Sequence, residues 1–484
     1  MANRYWVGGN GTWDASSTAN WSASSGGASG ASAPVSVDAV IFDSGSGSGT
    51  CQVQTGATAS TVVFNSATVL LNVNANFAIT SAFTLTAGTI AMNSYAMTVS
   101  NFTSSNSNVR TINFGTGKVI VSGTGGGFPW GMGTITNLTV SGTPVVDLTY
   151  SGATGLTVST GALAEASAIS FNITAGTYAL TFAFGSTYKN LNFTGFSGSL
   201  VSTNYTVFGD FTMSSTMTAP AGTSTITFGG TNVTPRVITS AGVTIDQNVA
   251  FNGVGGAWSF ADAFFVGATR TLTLTNGTLD ANNKNVSIGS FALGSGTKTL
   301  ALGSGTWTVA GANWNANTNV TGLTVSASTG VISMTSGSAK TFAGGGKTWP
   351  TLNQGGTGAL TVQQSNTFTN ITNTVQPATI TLTAGTTQTV STFTASGTSG
   401  NLITLNSSST GSRATLTDSG GANSVSYMDI KDIAATGYGE WQAYTSNGNV
   451  DSGNNIGWVF AAPPPLTASE YQVSFKSFTE RRSF

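Results

Sequence analysis

One block of this sequence is written twice. Residues 83–123 read FTLTAGTIAMNSYAMTVSNFTSSNSNVRTINFGTGKVIVSG, and residues 272–311 read LTLTNGTLDANNKNVSIGSFALGSGTKTLALGSGTWTVAG. Leu85, Gly88, Thr89, Asn93 and Phe102 fall opposite Leu274, Gly277, Thr278, Asn282 and Phe291, and Gly123 meets Gly311 after a slip of one residue. A shorter echo, ITLTAGT, begins at Ile380. A chain that repeats one short strand-and-turn unit cannot bury the apolar face of that unit alone, so copies must stack. On this alignment the shared positions are apolar residues, Gly corners and Thr rows. Charges are not shared: Arg110 faces Thr299, and Lys118 faces Thr306 or Trp307.

The unit itself is legible. Runs such as Leu138-Thr139-Val140, Leu156-Thr157-Val158, Leu323-Thr324-Val325 and Leu360-Thr361-Val362 alternate apolar and polar residues and stop at Gly, Asn or Ser. Side chains alternate across a strand, so one face is buried and the other carries Thr and Asn. The starts of the three copies, Phe83, Leu272 and Ile380, fit coils of roughly 21 residues, a length typical of solenoid repeats. Such a coil holds three short strands and three corners, with Gly and Asn where positive φ is required. The expectation is an all-β, elongated β-solenoid, a right-handed parallel β-helix with aromatic caps. Some 400 residues would make about 18 coils at ~4.8 Å each, roughly 85 Å in all. A string of β-sandwiches, with repeats of about 100 residues, is the rival architecture.

Composition supports stacking over disorder. Charged residues are 6% and hydrophobic residues 39%, with net charge −1. Disordered chains combine low hydrophobicity with high net charge. The division expected is residues 1–50 as a Trp-rich N-terminal cap, 51–423 as the solenoid body, 424–460 as closing coils and cap, and 461–484 as a Pro-rich linker and terminal strand. Trp6, Trp13 and Trp21 would cover the open end of the core, or alternatively present a sugar-stacking surface. Tyr438, Trp441 and Trp458 are the corresponding aromatics at the other end. In the last segment Tyr471, Val473 and Phe475 alternate with polar residues and Arg481 and Arg482 follow, which reads as a strand able to pair with another chain's edge, or as a frayed tail.

The sequence is poor in chemistry. There is no His, which removes the usual base for a Ser nucleophile and the commonest metal ligand. Net charge −1 argues against nucleic acid. The lone Cys51 allows no intrachain disulfide and reads as a small buried residue. Between Cys51 and Thr417 the carboxylates are Asp147, Glu165, Asp210, Asp246, Asp262 and Asp280, well separated, whereas glycoside hydrolysis wants a pair about 5–10 Å apart. Residues 344–348, GGGKT, have Thr341 where a phosphate loop needs its first Gly, and no helix pattern follows. Asp429 and Asp432, or Asp451 with Asn454 and Asn455, could offer oxygen ligands to Ca²⁺, but turn capping suits them better. No catalytic, cofactor or metal residues are therefore assigned. The N-terminus shows no export signal and no stretch is long enough to span a bilayer, predicting a protein made in the cytoplasm and retained there or released within a particle.

The blocks FTLTAGT and LTLTNGTLDANNKNVSIGSF, with the closing segments SVSYMDI (residues 424–430) and GNNIGWVF (residues 453–460), resemble repeats of β-helical virion proteins of tailed bacteriophages. The opening Tyr5-Trp6-Val7-Gly8-Gly9 and Gly11-Thr12-Trp13 are similar to the starts of such proteins and to segments of autotransporter passengers. The resemblance implies a non-enzymatic structural component at the virion surface: a tail fibre, spike or decoration protein. Its partners would be other virion proteins and copies of itself, with a homotrimer favoured, and a host-surface glycan as a further contact. A bacterial surface adhesin and a β-helical polysaccharide depolymerase are the alternatives.

Overall fold

The computed structural model describes residues 1–123 and 127–461. The chain divides into two compact units, Met1–Ile332 and Ser333–Phe484. Each is a parallel β-solenoid, and the two together hold about 19 turns. Among the described residues the helical content is limited to 3-10 turns at Ser44–Ser46 and Thr445–Asn447.

In the first unit most coils lay short strands on three faces. On one face Asn3–Trp6 lies parallel to Ala39–Phe42, which lies on residues 61–64, and these on residues 83–85 and Asn101–Thr103. On the next, Gly11–Trp13 and Gly49–Val53 lead to residues 69–73 and 89–91, then to Arg110–Asn113 and Leu138–Ser141. The third runs through Phe77–Ile79, Ala96–Val99, Lys118–Val121, Val145–Leu148 and Ser170–Ile173. The second unit repeats the plan. Its rows are Lys340–Ala343 to Met428–Lys431, Thr348–Trp349 to Ile433–Gly437, and a closing row of Asn423–Ser424, Trp441–Gln442 and Trp458–Val459.

Alternation explains the packing. In Thr271–Asp280, Leu272, Leu274 and Leu279 are buried, and Thr273 and Thr278 face outward or sit half-covered. Parallel register places like on like, so inward aromatics stack from coil to coil. Phe83, Phe102 and Trp130 are successive partners with ring centroids 5.7 and 4.5 Å apart. Each such pair adds about 0.5–1.5 kcal/mol beyond its buried area. These partners also show that coil length varies, with steps of 19 and then 28 residues between them. The sequence-based figure of about 21 lies near the short end, because corners lengthen without disturbing the strands.

The repeated glycine has a specific cause. Gly88 has φ +107°, and a Cβ there would lie 2.2 Å from the Ser66 carbonyl; Gly277 has φ +83°, with a Cβ 2.5 Å from the Gly256 carbonyl. At both corners the backbone turns left-handed where the preceding coil touches it. The paired asparagines Asn93 and Asn282 also have positive φ, 54° and 49°.

Three sequence expectations change. First, parallel stacking begins at Asn3 and not at residue 51. Residues 1–50 already supply Asn3–Trp6 and Ala39–Phe42 to one face and Gly11–Trp13 to another, Gly49–Val53 crosses residue 50, and the cap is the antiparallel strand Trp21–Ser22 laid on Tyr5 and Trp6. Second, the two copies of the block sit one face out of step. Leu279, the counterpart of Ile90, pairs with Trp258, in the row that runs back through Ile238, Phe211, Leu191, Phe171, Val146 and Val119 to Met97. Ile90 itself lies in the neighbouring row, on Leu71. What repeats is a strand–corner–strand module, usable on any face, and not a whole number of coils. Third, a charge is shared after all. Arg110 pairs with Gly88, and Lys298 pairs with Gly277. The one-residue slip therefore falls before Arg110, which is the counterpart of Lys298 and not of Thr299.

Candidate functional site

Longer corners leave depressions beside tight ones. One lies on the corner between the first two faces of the Met1–Ile332 unit, where the two-residue bend at Ala87 and Gly88 sits between the wider corners 65–68 and 104–109. The resulting groove has a volume of about 780 Å³. It is lined by Asp43, Ser44, Asn65, Ser66, Thr68, Ala87, Asn108, Val109 and Asn137, with Ser107 and Ala67. The lining mixes hydroxyls and amides with apolar Ala67, Ala87 and the exposed Val109, and carries one carboxylate and no cation. Asp43 accepts the Gly45 N–H at 2.9 Å and its own N–H is held by Ser46 Oγ, so it caps a 3-10 turn.

One wall of that groove is fixed from beneath by Arg110, which is fully buried. Its guanidinium donates to Ser104 Oγ (2.9 Å), Ser104 O (3.2 Å), Asn106 Oδ1 (3.1 Å) and Asn108 O (2.7 Å) in its own corner loop. It also donates to Thr134 O (2.8 Å) and Thr136 O (3.2 Å) in the next coil. All these acceptors are neutral. Lys298 repeats the device, with Nζ on Gly294 O (2.5 Å) and Gly296 O (2.6 Å). In the second unit Lys340 does so again, donating to Ser336 O (3.0 Å), Gly356 O (3.2 Å) and Gly358 O (2.5 Å). Each cation opens a strand whose next residue is Thr (Arg110-Thr111, Lys298-Thr299, Lys340-Thr341) and follows a loop of small residues. Corner carbonyls that point away from any ladder must be satisfied somehow, and a buried cation with several donors serves many at once.

Burial pushes the Lys340 ammonium down to about 8. In the unfolded chain a lysine titrates at about 10.4. Between these values the unfolded state binds the extra proton, so stability rises with pH across that window. We expect the urea midpoint of the wild-type protein to increase from pH 7.5 to pH 9.5, and the increase to be reduced in Lys340→Met. A midpoint that responds to pH equally in both would show that Lys340 is not the titrating group.

The aromatic candidates separate into two classes. Trp6, Trp13 and Trp21 have no exposed area. Trp21 meets Trp6 and Trp13 edge to face at 5.2 and 5.6 Å, and all three surround Phe42. Rings without accessible faces cannot stack on a sugar, so that alternative fails for these three. Trp441 and Trp458 lie against each other at 5.1 Å, and Trp441 Nε1 donates to Thr436 O at 2.8 Å. Tyr438, in contrast, is 89% exposed. Tyr471, Val473, Phe475, Arg481 and Arg482 lie outside the described residues.

Each of the six mid-chain carboxylates has structural work. Asp147 takes Lys118 Nζ at 2.6 Å and Asn172 Nδ2 at 2.8 Å. Asp246 takes Arg270 through two nitrogens, at 2.8 and 3.2 Å. Asp210 accepts the Val237 N–H, Asp262 the Ser240 and Ala241 N–H groups, and Asp280 the Asn282 N–H. Glu165 binds Lys189 and Thr231. The C-terminal acids behave likewise: Asp432 accepts from Gly411 N and Asn454 Nδ2, Asp451 from Gly453 N and Asn455 Nδ2, and Asp429 from Ser452 Oγ. In the GGGKT segment, the Gly345 and Gly346 N–H groups donate to Gln364 and Asn366, and a strand follows. Cys51 is buried within Gly49–Val53, and burial raises its thiol well above the ordinary value.

Sequence reasoning missed the groove and the buried cations. The groove depends on differences in corner length, which no motif announces. The cations carried a signal, a basic residue before Thr at a strand start after a loop of small residues, that needed the slip in the repeat to be placed correctly. Comparison with protein-family models, with curated proteins and with solved structures finds no match to this chain.

Proposed function

We propose that this chain is a non-enzymatic structural component of a bacteriophage virion, a rigid fibre, spike or decoration protein on the particle surface. The observation that supports this most is the use made of charge. Carboxylates and cations that an enzyme would place in a cleft are here bound to backbone groups and to each other, holding corners and strand ends. The same coil-by-coil design gives a stiff body with a neutral, hydroxyl- and amide-rich exterior. Within this reading the polar groove is the surface that contacts a host glycan, since amides and hydroxyls can both donate to and accept from sugar hydroxyls. The other partners are remaining virion proteins and further copies of the chain, as a homotrimer.

Mass spectrometry of purified particles tests the proposal. The chain is expected in multiple copies per particle, and incubation of the purified protein with host capsular polysaccharide is expected to release no reducing ends. Absence from particles overturns the structural role; cleavage overturns the non-enzymatic one.

A further inference from the structure

One loop of the Met1–Ile332 unit does not follow the corner it belongs to. Residues 229–236, GGTNVTPR, leave the strand Ala221–Phe228 and fold back along the solenoid. Thr231 donates both its N–H (2.9 Å) and its hydroxyl (2.8 Å) to Glu165 Oε2, 66 positions earlier. The intervening coils carry Thr187–Tyr188 and Tyr205–Val207 on the same face. Lys189 Nζ lies 3.5 Å from the other Glu165 oxygen. At the end of the loop, Asp210 accepts the Val237 N–H at 2.8 Å, and Asn232 O accepts from Ala257 N at 3.1 Å. Residues 231–235 are exposed and Val233 is 76% so; no apolar side chain of the loop anchors it. Beside Glu165 and Lys189 lies a depression of about 340 Å³ floored by Pro144, Val145, Ala166 and Ala168.

We propose that residues 229–236 form a strap latched on Glu165 beside Lys189, which acid releases. The strap's side-chain hold at this end is two donors on one carboxylate, beside the backbone bond from Ala257 N to Asn232 O, so protonating that carboxylate removes the charge that both donors serve. The charged groups around the latch are Glu165 itself, Lys189 from the following coil and Asp210 at the far end of the strap. Burial opposes the charge on Glu165, but the Thr231 hydroxyl and N–H and the Lys189 ammonium outweigh it and hold the carboxyl below its ordinary value. A carboxyl lowered in the folded state contributes its stabilisation above the unfolded value of about 4.3 and loses it as pH falls through the folded value. The strap is therefore closed at neutral pH and opens in strongly acidic solution.

Limited trypsin digestion of the full chain at neutral pH reads the latch directly. Cleavage after Arg236 requires the strap to open and the start of the strand Arg236–Thr239 to leave Trp258, whereas cleavage after Arg270, which is paired with Asp246 outside the strap, reports general loosening. Glu165→Gln and Thr231→Val are each expected to speed cleavage after Arg236, by about tenfold for Glu165→Gln, the factor for losing one charge-assisted hydrogen bond. Cleavage after Arg270 stays at the wild-type rate. Hydrogen exchange at the Thr231 amide, corrected for intrinsic rate, is expected to lose protection as pH falls below about 4.3 in the wild type and to be weakly protected throughout in Glu165→Gln. Equal acceleration at Arg236 and Arg270, no acceleration at all, or Thr231 protection that is the same at neutral pH in the wild type and in Glu165→Gln would each overturn the latch. None of these results bears on whether the chain belongs to a virion.

Discussion

Replacing Arg110 by methionine is expected to destabilise the Met1–Ile332 unit by about 3–5 kcal/mol, the cost of leaving two or three buried acceptors without a partner. Methionine fills much of the volume but offers no donor. It leaves the Ser104, Asn108, Thr134 and Thr136 carbonyls, the Ser104 hydroxyl and the Asn106 amide oxygen short of a partner at once. Each buried acceptor without a partner costs about 1–3 kcal/mol, and the corner relaxes to let water reach some of them. Arg110→Lys is expected to lose less, because Lys298 shows that an ammonium can hold a corner of the same kind through two carbonyls. A solenoid unfolds through neighbouring repeats and not always in one step. The effect is best read by hydrogen exchange at residues 111–113 alongside the urea midpoint. Unchanged exchange there would show that the guanidinium is not what holds the corner.

The second large effect is at the N-terminal end. Trp13→Ala is expected to cost about 3–5 kcal/mol, the usual range for a buried Trp or Phe reduced to alanine. Trp13 touches Trp21, Phe42 and Phe77, so its loss opens a cavity between the cap and the first coils. The consequence extends past stability. Once Trp21–Ser22 loosens from Tyr5 and Trp6, the first strand presents an unpaired edge, and such edges template association. Light scattering is expected to show concentration-dependent aggregation of Trp13→Ala at temperatures where the wild type is unchanged. Tyr438→Ala, at an exposed aromatic, is the control and is expected to alter neither stability nor association. Equal behaviour of the two variants would remove the capping role from Trp13.

How much of this was readable beforehand follows from which physical rule each feature obeys. Alternation and corner glycines are local rules, so the all-β stacked architecture followed from stretches such as residues 272–280. Left-handed φ at Gly88, Gly277, Asn93 and Asn282 was legible for the same reason. Phase was not, because the strand–corner–strand module fits any of the three faces, and nothing local distinguishes the row of Ile90 from the row of Met97. Strand pairing across residue 50 was hidden because Gly and Ser runs resemble a separate segment, while Val40, Phe42, Cys51 and Val53 are buried in the stack on both sides of it. Carboxylate roles were half visible. Their isolation in sequence was plain, but a contact such as Glu165 with Thr231 spans several coils and is set by a loop that turns backward. Arg110 was misaligned by one residue, and that slip concealed a shared structural cation.

The role proposed for this stacked solenoid is that of an exposed structural part of a phage particle. Cryo-electron microscopy of purified particles, with the chain located by an antibody raised against residues 1–461, tests it most directly. The predicted result is label on a surface feature whose density shows parallel strands stacked at ~4.8 Å intervals. Particles that carry no label, or label confined to an interior component without that spacing, would contradict it.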